Sequence, residues 1–205
     1  MTKYLLAAWL CMVPLLSMAQ SNADANALLI VLEQFKHVQG RFSQRQFGQD
    51  GVLLTESSGE FRVLRPSYFS WHVLSPDEQL IVVDPEFIWH YDRDLETVTR
   101  RPVTGDAEMV PLKILGGDAG QLEEKFHIVR EGEDAFVLTP LSDGAGFKQL
   151  SLHVDQARLS GMKIQDNLDQ WVEIIFTDID ADVELSSADF TFTPSPDADL
   201  FYYDQ

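Results

Sequence analysis

After Gly40, hydrophobic side chains recur at about every second position, and this alternation restricts the fold more than any other feature of the sequence. Successive side chains of an extended chain point to opposite faces, so a period of two predicts β-strands. Turn signals such as "RPSY", "SPDE", "DPEF", "EGED", "SDGAG" and "DNLD" separate most of the segments. The predicted strands are Arg41–Gln46, Glu60–Arg65, Phe69–Val73, Gln79–Val83, Phe87–Tyr91, Thr97–Arg101, Lys125–Arg130, Ala135–Thr139, Lys148–Val154, Leu159–Gln165 and Trp171–Thr177. About eleven strands in a meander predict a mainly β protein whose single antiparallel sheet curls into a barrel or an incomplete barrel.

A different period precedes this series. From Asp24 to Val38 the apolar residues recur at helical spacing, which predicts one amphipathic helix with Asp24 as its N-cap. The apolar positions are Leu28, Val31, Leu32, Phe35 and Val38. We therefore expect one N-terminal helix before the series of strands.

The meander is interrupted once, between the sixth and seventh predicted strands. There Pro111, Leu112, Ile114 and Leu115 form a short apolar stretch that Gly116-Gly117 would end. Such an insertion suits a helical lid over one face or open end of the sheet. The pattern fits equally a helical loop that is merely packed on the core.

The first nineteen residues have the organisation of a secretory signal peptide. Lys3 precedes an apolar run from Tyr4 to Leu16, and Ser17-Met18-Ala19 is a small-x-small cleavage site. We therefore expect export, with residues 1–19 removed and residues 20–205 forming a single domain. Cys11 is the one cysteine and lies within this segment, where Leu10 does not fit a lipidation site, so disulfides and thiol chemistry are not expected.

The chain is strongly acidic, with a formal net charge of −18. Such a field repels nucleic acid and anionic membrane surfaces, so nucleic-acid binding is not expected, and it favours basic partners. Solubility alone accounts for the acidity equally well.

No arrangement of residues indicates catalysis. The chain has no G-x-S-x-G elbow, no phosphate-binding glycine loop and no mature cysteine nucleophile. Its five histidines, His37, His72, His90, His127 and His153, are scattered without metal-ligand spacing, so neither a metal nor a cofactor is expected. A carboxylate pair of the glycosidase kind stays open, but nothing singles one out.

The stretch "FRVLRPSYFSWHV", Phe61 to Val73, contains Arg65, a charged residue on an otherwise apolar strand face. Phe61, Val63 and Arg65 share one face of an extended chain, and Phe69, Trp71 and Val73 share one face of the next. A buried guanidinium needs partners, and the backbone carbonyls of a segment that plugs a barrel would provide them. Two alternatives stay open: Arg65 at a solvent-facing rim, and an aromatic face that is an ordinary filled core.

The stretch "SSGEFRVLRPSYFSWHVLSPDEQLIVVDPEFIWHYDRDLETVT" resembles the central signature of LolA, the family of periplasmic carriers of outer-membrane lipoproteins. The family pattern is a Gly-led strand that ends in Arg-Pro, then Phe-x-Trp, a Pro-x-x-Gln/Ser strand, and Trp-x-Tyr-Asp/Asn. "GRFSQ", "FVLTP" and "FTFTP" are also similar to that family. One departure is Pro85 where the family often has glycine after the aspartate, which implies another turn type between those strands.

The resemblance implies an incomplete barrel of eleven strands, closed by a lid of helices, whose interior receives the acyl chains of a lipoprotein. Arg65 falls on the arginine that bonds the lid in the closed form. Phe69 and Trp71 fall on cavity-facing aromatics, and Pro111–Leu115 falls where lid helices are expected. The acyl-chain cavity is expected to include Phe61, Val63, Phe69, Trp71, Val73 and Trp89.

The implied activity is that of a monomeric periplasmic chaperone, not an enzyme. Its partners would be lipoproteins acylated on an N-terminal cysteine, the inner-membrane ABC transporter that releases them, and an outer-membrane lipoprotein receptor. Two rival interpretations remain: another periplasmic lipid or glycolipid binder of the same architecture, and an exported hydrolase that uses the cleft.

Overall fold

The computed structural model describes residues 15–103, 114–115, 122–142 and 145–203, with side chains in the first helix from residue 23 onward. Helix α1 spans Leu15–Glu33, and a one-turn helix α2 spans Leu122–Lys125. The strands are β1 (His37–Phe47), β2 (Leu53–Leu64), β3 (Tyr68–Ser75), β4 (Gln79–Val83), β5 (Phe87–Asp92), β6 (Thr97–Pro102), β7 (Phe126–Glu131), β8 (Ala135–Pro140), β9 (Phe147–Asp155), β10 (Arg158–Asp166), β11 (Trp171–Asp180) and β12 (Asp199–Tyr202). A 3-10 turn, Ser187–Phe190, precedes β12.

All twelve strands belong to one sheet, in the order β12-β6-β5-β4-β3-β2-β1-β11-β10-β9-β8-β7. Within β1–β6 and within β7–β11, strands that follow one another along the chain pair as antiparallel hairpins, and the pairing of β1 with β11 joins the two series. The sheet has two different edge strands, so the barrel is incomplete, as the resemblance implies. All eleven predicted segments are strands, apart from the end residues Arg65, which follows β2, and Lys125, which belongs to α2. The prediction missed β12, which pairs in parallel with β6.

Helix α1 differs at both ends from the prediction. It ends at Glu33, and Val38 lies in β1, because the chain already turns at Gln34 and Phe35. Asp24 lies inside the helix, so its predicted role as N-cap is wrong. Its buried carboxylate instead accepts a hydrogen bond of 3.1 Å from the backbone N–H of Arg130 in β7. This bond ties the helix to one edge of the sheet.

The main core lies between α1 and one face of the sheet, here called the interior face. Leu28, Leu32 and Phe35 follow the helical period and pack against alternate residues of the strands. Fully buried positions from the far half of the sheet include Leu138, Leu150 and Leu152. One apolar face of a sheet covered by one apolar side of a helix is the arrangement that buries both.

The opposite face of β3–β6, here called the outer face, is covered by the C-terminal segment. The ring of Phe190 lies 5.6 Å from that of Tyr68, and the ring of Phe192 lies 5.5 Å from that of Trp89. The guanidinium of Arg100 lies 4.3 Å from the ring of Phe87 and 4.4 Å from that of Tyr202 in β12. In β3–β6 the sheet therefore carries apolar side chains on both faces, and the C-terminal segment covers those on the outer face.

Candidate functional site

Aromatic rings from four neighbouring strands and from the turn that follows α1 meet on the interior face. Phe42 stacks on Trp71 with ring centroids 3.6 Å apart, and Phe61 lies 5.0 Å from Phe176 and 5.8 Å from Phe35. These residues alternate with polar ones along their strands, which places them all on one side. In this structure the rings pack on one another, so the interior is closed.

Two glycines make this stacking possible. Gly59 lies opposite Phe42 in the β1–β2 pair, and a Cβ on Gly59 would meet the carbonyl oxygen of His72 at 1.9 Å and the Phe42 ring at 2.9 Å. Gly40 lies opposite Phe61, whose ring a Cβ would meet at 2.9 Å. Small residues thus give the rings their space. The sequence pattern marks neither these glycines nor Phe42 and Phe176 as neighbours, because the pairing that brings them together depends on strand register.

The structure brings together most of the residues expected to line the cavity. Phe61, Val63, Phe69 and Trp71 are buried on the interior face, and Val73 is partly buried and packs against the same cluster. The register of β2 with β3 explains the grouping, because Phe61 pairs with Trp71 and Val63 pairs with Phe69. Residues directly opposite in antiparallel strands point to the same face.

Trp89 does not belong to this group, which corrects the expectation that it lines the cavity. It pairs with Val82, and Val82 pairs with Ser70, whereas the interior positions of the same strands are Phe69, Val83 and Ile88. Trp89 therefore lies on the outer face, where it contacts Phe192 and Phe87.

Arg65 lies immediately after the end of β2 and is 7% exposed. Its Nη2 donates a hydrogen bond to the backbone carbonyl of Ile114, and its backbone N–H donates to the carbonyl of Lys36 at 2.8 Å. A guanidinium carries donors in a fixed fork and stays charged at any physiological pH, so in an apolar interior it needs such acceptors. The rim position in solvent, which the sequence left open, is thus excluded.

The expected lid is described in part. Ile114 and Leu115 are helical, are 1% exposed and belong to the main core cluster. Pro111 and Leu112 lie outside the described residues. The contact between Arg65 and Ile114 therefore connects a buried cation just after the end of β2 to an apolar pair, Ile114 and Leu115, that packs in the main core.

Comparison with known proteins bears on this arrangement. Residues 33–193 match the family model described as outer membrane lipoprotein carrier protein LolA. The chain belongs to the LolA family. An outer-membrane lipoprotein carrier protein of Pseudomonas paraeruginosa is 32% identical over 199 residues, 96% of each chain. The protein of the same description from Chromohalobacter salexigens is 33% identical over 190 residues, 91% of this chain and 90% of the relative.

Solved structures with the same fold share little sequence with this LolA family member. An uncharacterised conserved protein of Thermus thermophilus superposes with a TM-score of 0.55 at 15% identity, covering 88% of this chain and 99% of its own. A LolA superfamily protein of Nitrosomonas europaea superposes with a TM-score of 0.53 at 12% identity, covering 82% and 97%. These likenesses show a common fold.

The apolar interior of this LolA family member gives way to polar residues toward β5 and β6. On the same face as Trp71 lie His90, Gln79, Asp92 and Arg101, all half-buried. The His90 Nε2 lies 3.4 Å from Oε1 of Gln79, whose Nε2 donates to Asp92 at 3.4 Å. Burial lowers the pKa of His90, since it disfavours the charged ring. The aromatic part of the interior face therefore lies along β1–β3, whereas β5 and β6 contribute mainly polar side chains to this face.

A groove of about 690 Å³ lies elsewhere, between α1 and the ends of β7–β10. Its lining is mixed, with Ile30 and Phe136 beside Arg130, Asp134 and Asp155, and Arg65 is not part of it. Among the described residues no three metal-ligating side chains come together. No helix in the described part of the chain has both the length and the apolar character needed to cross a membrane.

Proposed function

We propose that this protein carries lipoproteins through the periplasm, from the inner membrane to the outer membrane, with their acyl chains inside the interior of the half-barrel. The observation that carries the proposal is the buried Arg65, which bonds a covering segment at the boundary of an aromatic interior. In an ordinary filled core, an apolar residue of similar size at this position would make the protein at least as stable as the buried arginine does. Stability of the core therefore does not explain why a cation is buried here.

Free energies explain why such a carrier needs an enclosed interior. An acyl chain of about 16 carbons costs roughly 13 kcal/mol when it is exposed to water, at about 0.8 kcal/mol for each CH₂ group. The same chain moves from a bilayer to an apolar cavity at little cost, because both exclude water. The balance between loading and delivery is then set by small contributions, such as lid opening and the Arg65 bond, each of order 1–3 kcal/mol.

The closed interior suggests how cargo is expelled. Acyl chains can enter only if the rings of Phe42, Trp71 and Phe61 separate and the covering segment at Ile114 moves away. Opening separates Arg65 from the carbonyl of Ile114, so the empty closed form regains that bond when cargo leaves. Closure thus favours delivery and limits how tightly the carrier holds its cargo.

The proposed route requires export and two protein partners. The segment from Tyr4 to Leu16 serves as the signal for export, and Gln20 begins the mature chain. The donor is the inner-membrane ABC transporter that releases lipoproteins, and the acceptor is an outer-membrane lipoprotein receptor. The carrier works as a monomer, with no cofactor and no catalytic step.

The proposal is tested by native mass spectrometry of the protein purified from the periplasm of its own bacterium, without detergent. We expect a population whose added mass equals that of an intact acylated lipoprotein. An added mass equal to a free lipid or glycolipid would instead identify a lipid carrier of the same architecture. Bare protein only, under conditions in which lipoproteins reach the outer membrane, would contradict the proposal.

A further inference from the structure

The hairpin topology places the connections between strands at two ends of the sheet. One end, here called the upper end, holds the β1–β2, β3–β4, β5–β6, β8–β9 and β10–β11 connections. Each of these connections carries, in its turn or in an adjoining strand residue, a large apolar side chain that is about half exposed or more. These side chains are Val52, Leu53, Leu54, Leu74, Leu95, Leu141 and Leu168. The four connections at the opposite end, which the structure describes in full, carry no exposed side chain of this kind.

One hairpin projects beyond its neighbour at this upper end. The pairing of β2 with β3 stops at Ser58 and Ser75, whereas β2 begins at Leu53, so residues 53–57 extend about 16 Å further at 3.3 Å per residue. On the other side the hairpin is supported, since Phe47 pairs with Trp171 of β11. Within the described part of the chain, no strand pairs with residues 53–57 on the β3 side. The projecting hairpin therefore presents a free strand edge together with Leu53 and Leu54.

The charge around these leucines is negative. The described carboxylates in and beside the upper turns include Asp50, Asp77, Glu78, Asp94, Glu96, Asp166 and Asp169. The nearby cations Arg93 and Lys148 already pair with Glu78 and Asp169, each at 2.6 Å. An anionic bilayer surface would be repelled by this end, whereas a protein surface with lysines and arginines around an apolar patch would complement it.

We propose that the upper end is the surface through which this carrier docks on a protein partner that presents basic and apolar side chains. The projecting β1–β2 hairpin lies at the centre of the contact. This inference rests on the proposed function, in which the carrier meets a donor and an acceptor protein. Arg65 lies at the opposite end of β2, so docking and latching use different ends of the sheet.

The test measures affinity for purified partners. Cargo-free carrier is titrated onto the lipoprotein-releasing transporter in nanodiscs and onto a soluble form of the outer-membrane receptor, both from the same bacterium. The double variant Leu53→Ser, Leu54→Ser should lower affinity for at least one of them on the order of tenfold or more, because central apolar contacts dominate such interfaces. The matched control is Ile30→Ser, Val129→Ser, which changes two exposed apolar residues away from the upper end and should leave both affinities unchanged.

A second variant tests the charge. The double variant Asp77→Lys, Asp94→Lys changes two carboxylates in upper turns to cations. It should slow association with the protein whose affinity the leucine variant lowers, and it should make the association rate depend less on salt, because the attraction to a basic surface is reduced. Association that is equally fast and equally salt-sensitive would contradict a basic partner surface. Thermal unfolding of every variant checks that the fold is retained, which the exposure of all six positions leads us to expect.

The outcomes separate the docking surface from the function on which it rests. Unchanged affinity of the leucine variant for both proteins, with wild-type protein still loaded with lipoprotein, overturns the docking surface and leaves the carrier function intact. Failure of the wild-type protein to take up lipoprotein at all overturns the function itself. A loss of binding to phosphatidylethanolamine–phosphatidylglycerol vesicles, with protein affinities unchanged, would make the upper end a membrane contact and would also refute the proposal.

Discussion

Replacing Arg65 with leucine tests the latch directly. A hydrogen bond from a charged donor contributes about 1.5–3 kcal/mol, and leucine cannot donate to the carbonyl of Ile114. The empty closed form loses this contribution, whereas the loaded form, in which the bond is already open, does not. Since about 1.4 kcal/mol corresponds to a tenfold change, retention of cargo should rise by about tenfold to a hundredfold. The free energy of unfolding should not fall by more than about 1 kcal/mol, because apolar residues replace buried charges well.

The assay follows transfer of lipoprotein from the purified carrier–cargo complex to acceptor membranes that contain the receptor. Loading should be normal in Arg65→Leu and transfer should be slow or incomplete. Arg65→Lys is the matched variant, since it keeps the charge but not the planar fork, and it should lie between leucine and wild type. Transfer by Arg65→Leu at the wild-type rate and extent would refute the latch. A transfer defect accompanied by a large loss of stability would assign Arg65 a structural role instead.

Three further changes have defined outcomes. Phe69→Glu puts a charge on the interior face and should abolish loading, measured as lipoprotein released from spheroplasts. Arg62→Glu in the neighbouring strand β2 changes an exposed residue away from the upper end and should load normally, and normal loading of Phe69→Glu would contradict an interior role. Gly59→Ala should lower the free energy of unfolding by at least about 2 kcal/mol in urea, because its Cβ would clash with backbone, and no loss would contradict the close approach of β2 and β3. Burial lowers the pKa of His90 in the folded protein below its ordinary value of 6.5, so the folded state favours the neutral ring. The contribution of His90 to the free energy of unfolding is therefore fully present above about pH 6.5 and is lost as the pH falls and the ring takes up a proton. Wild type should therefore lose more stability than His90→Gln between pH 7.5 and 5.5, and equal losses in urea unfolding would contradict this.

The strands of this protein were predictable because each combines alternating side chains with strong turn residues at its ends. The hairpin at Asp84 is one example: proline excludes a positive-φ turn, and the Asp84 carboxylate accepts the N–H groups of Glu86 and Phe87 instead. β12 was not predictable in this way. It is four residues long, and its partner β6 lies about a hundred residues earlier, so no local pattern marks it.

The assignment of faces was harder to predict than the strands. Phe87, Trp89 and Tyr91 alternate with Ile88 and His90, and the larger aromatic content favours the first set as the interior side. The structure reverses this, because Phe192 of the C-terminal segment covers the aromatic set on the outer face. Alternation identifies two sides of a strand, but it cannot say which side is interior when both are covered.

The two covers of the sheet differ in how they are held, and this difference suits a carrier. The outer cover ends in β12, which forms a parallel backbone ladder with β6 and places Tyr202 against the guanidinium of Arg100. The interior cover at Ile114 packs through apolar side chains and is bonded by Arg65. Apolar contacts can be exchanged for contacts with acyl chains at little cost, whereas a broken backbone ladder has no such replacement. Under the proposed function, hydrocarbon displaces the interior cover while the outer cover keeps the sheet intact, and a carrier that opens and closes repeatedly requires both properties.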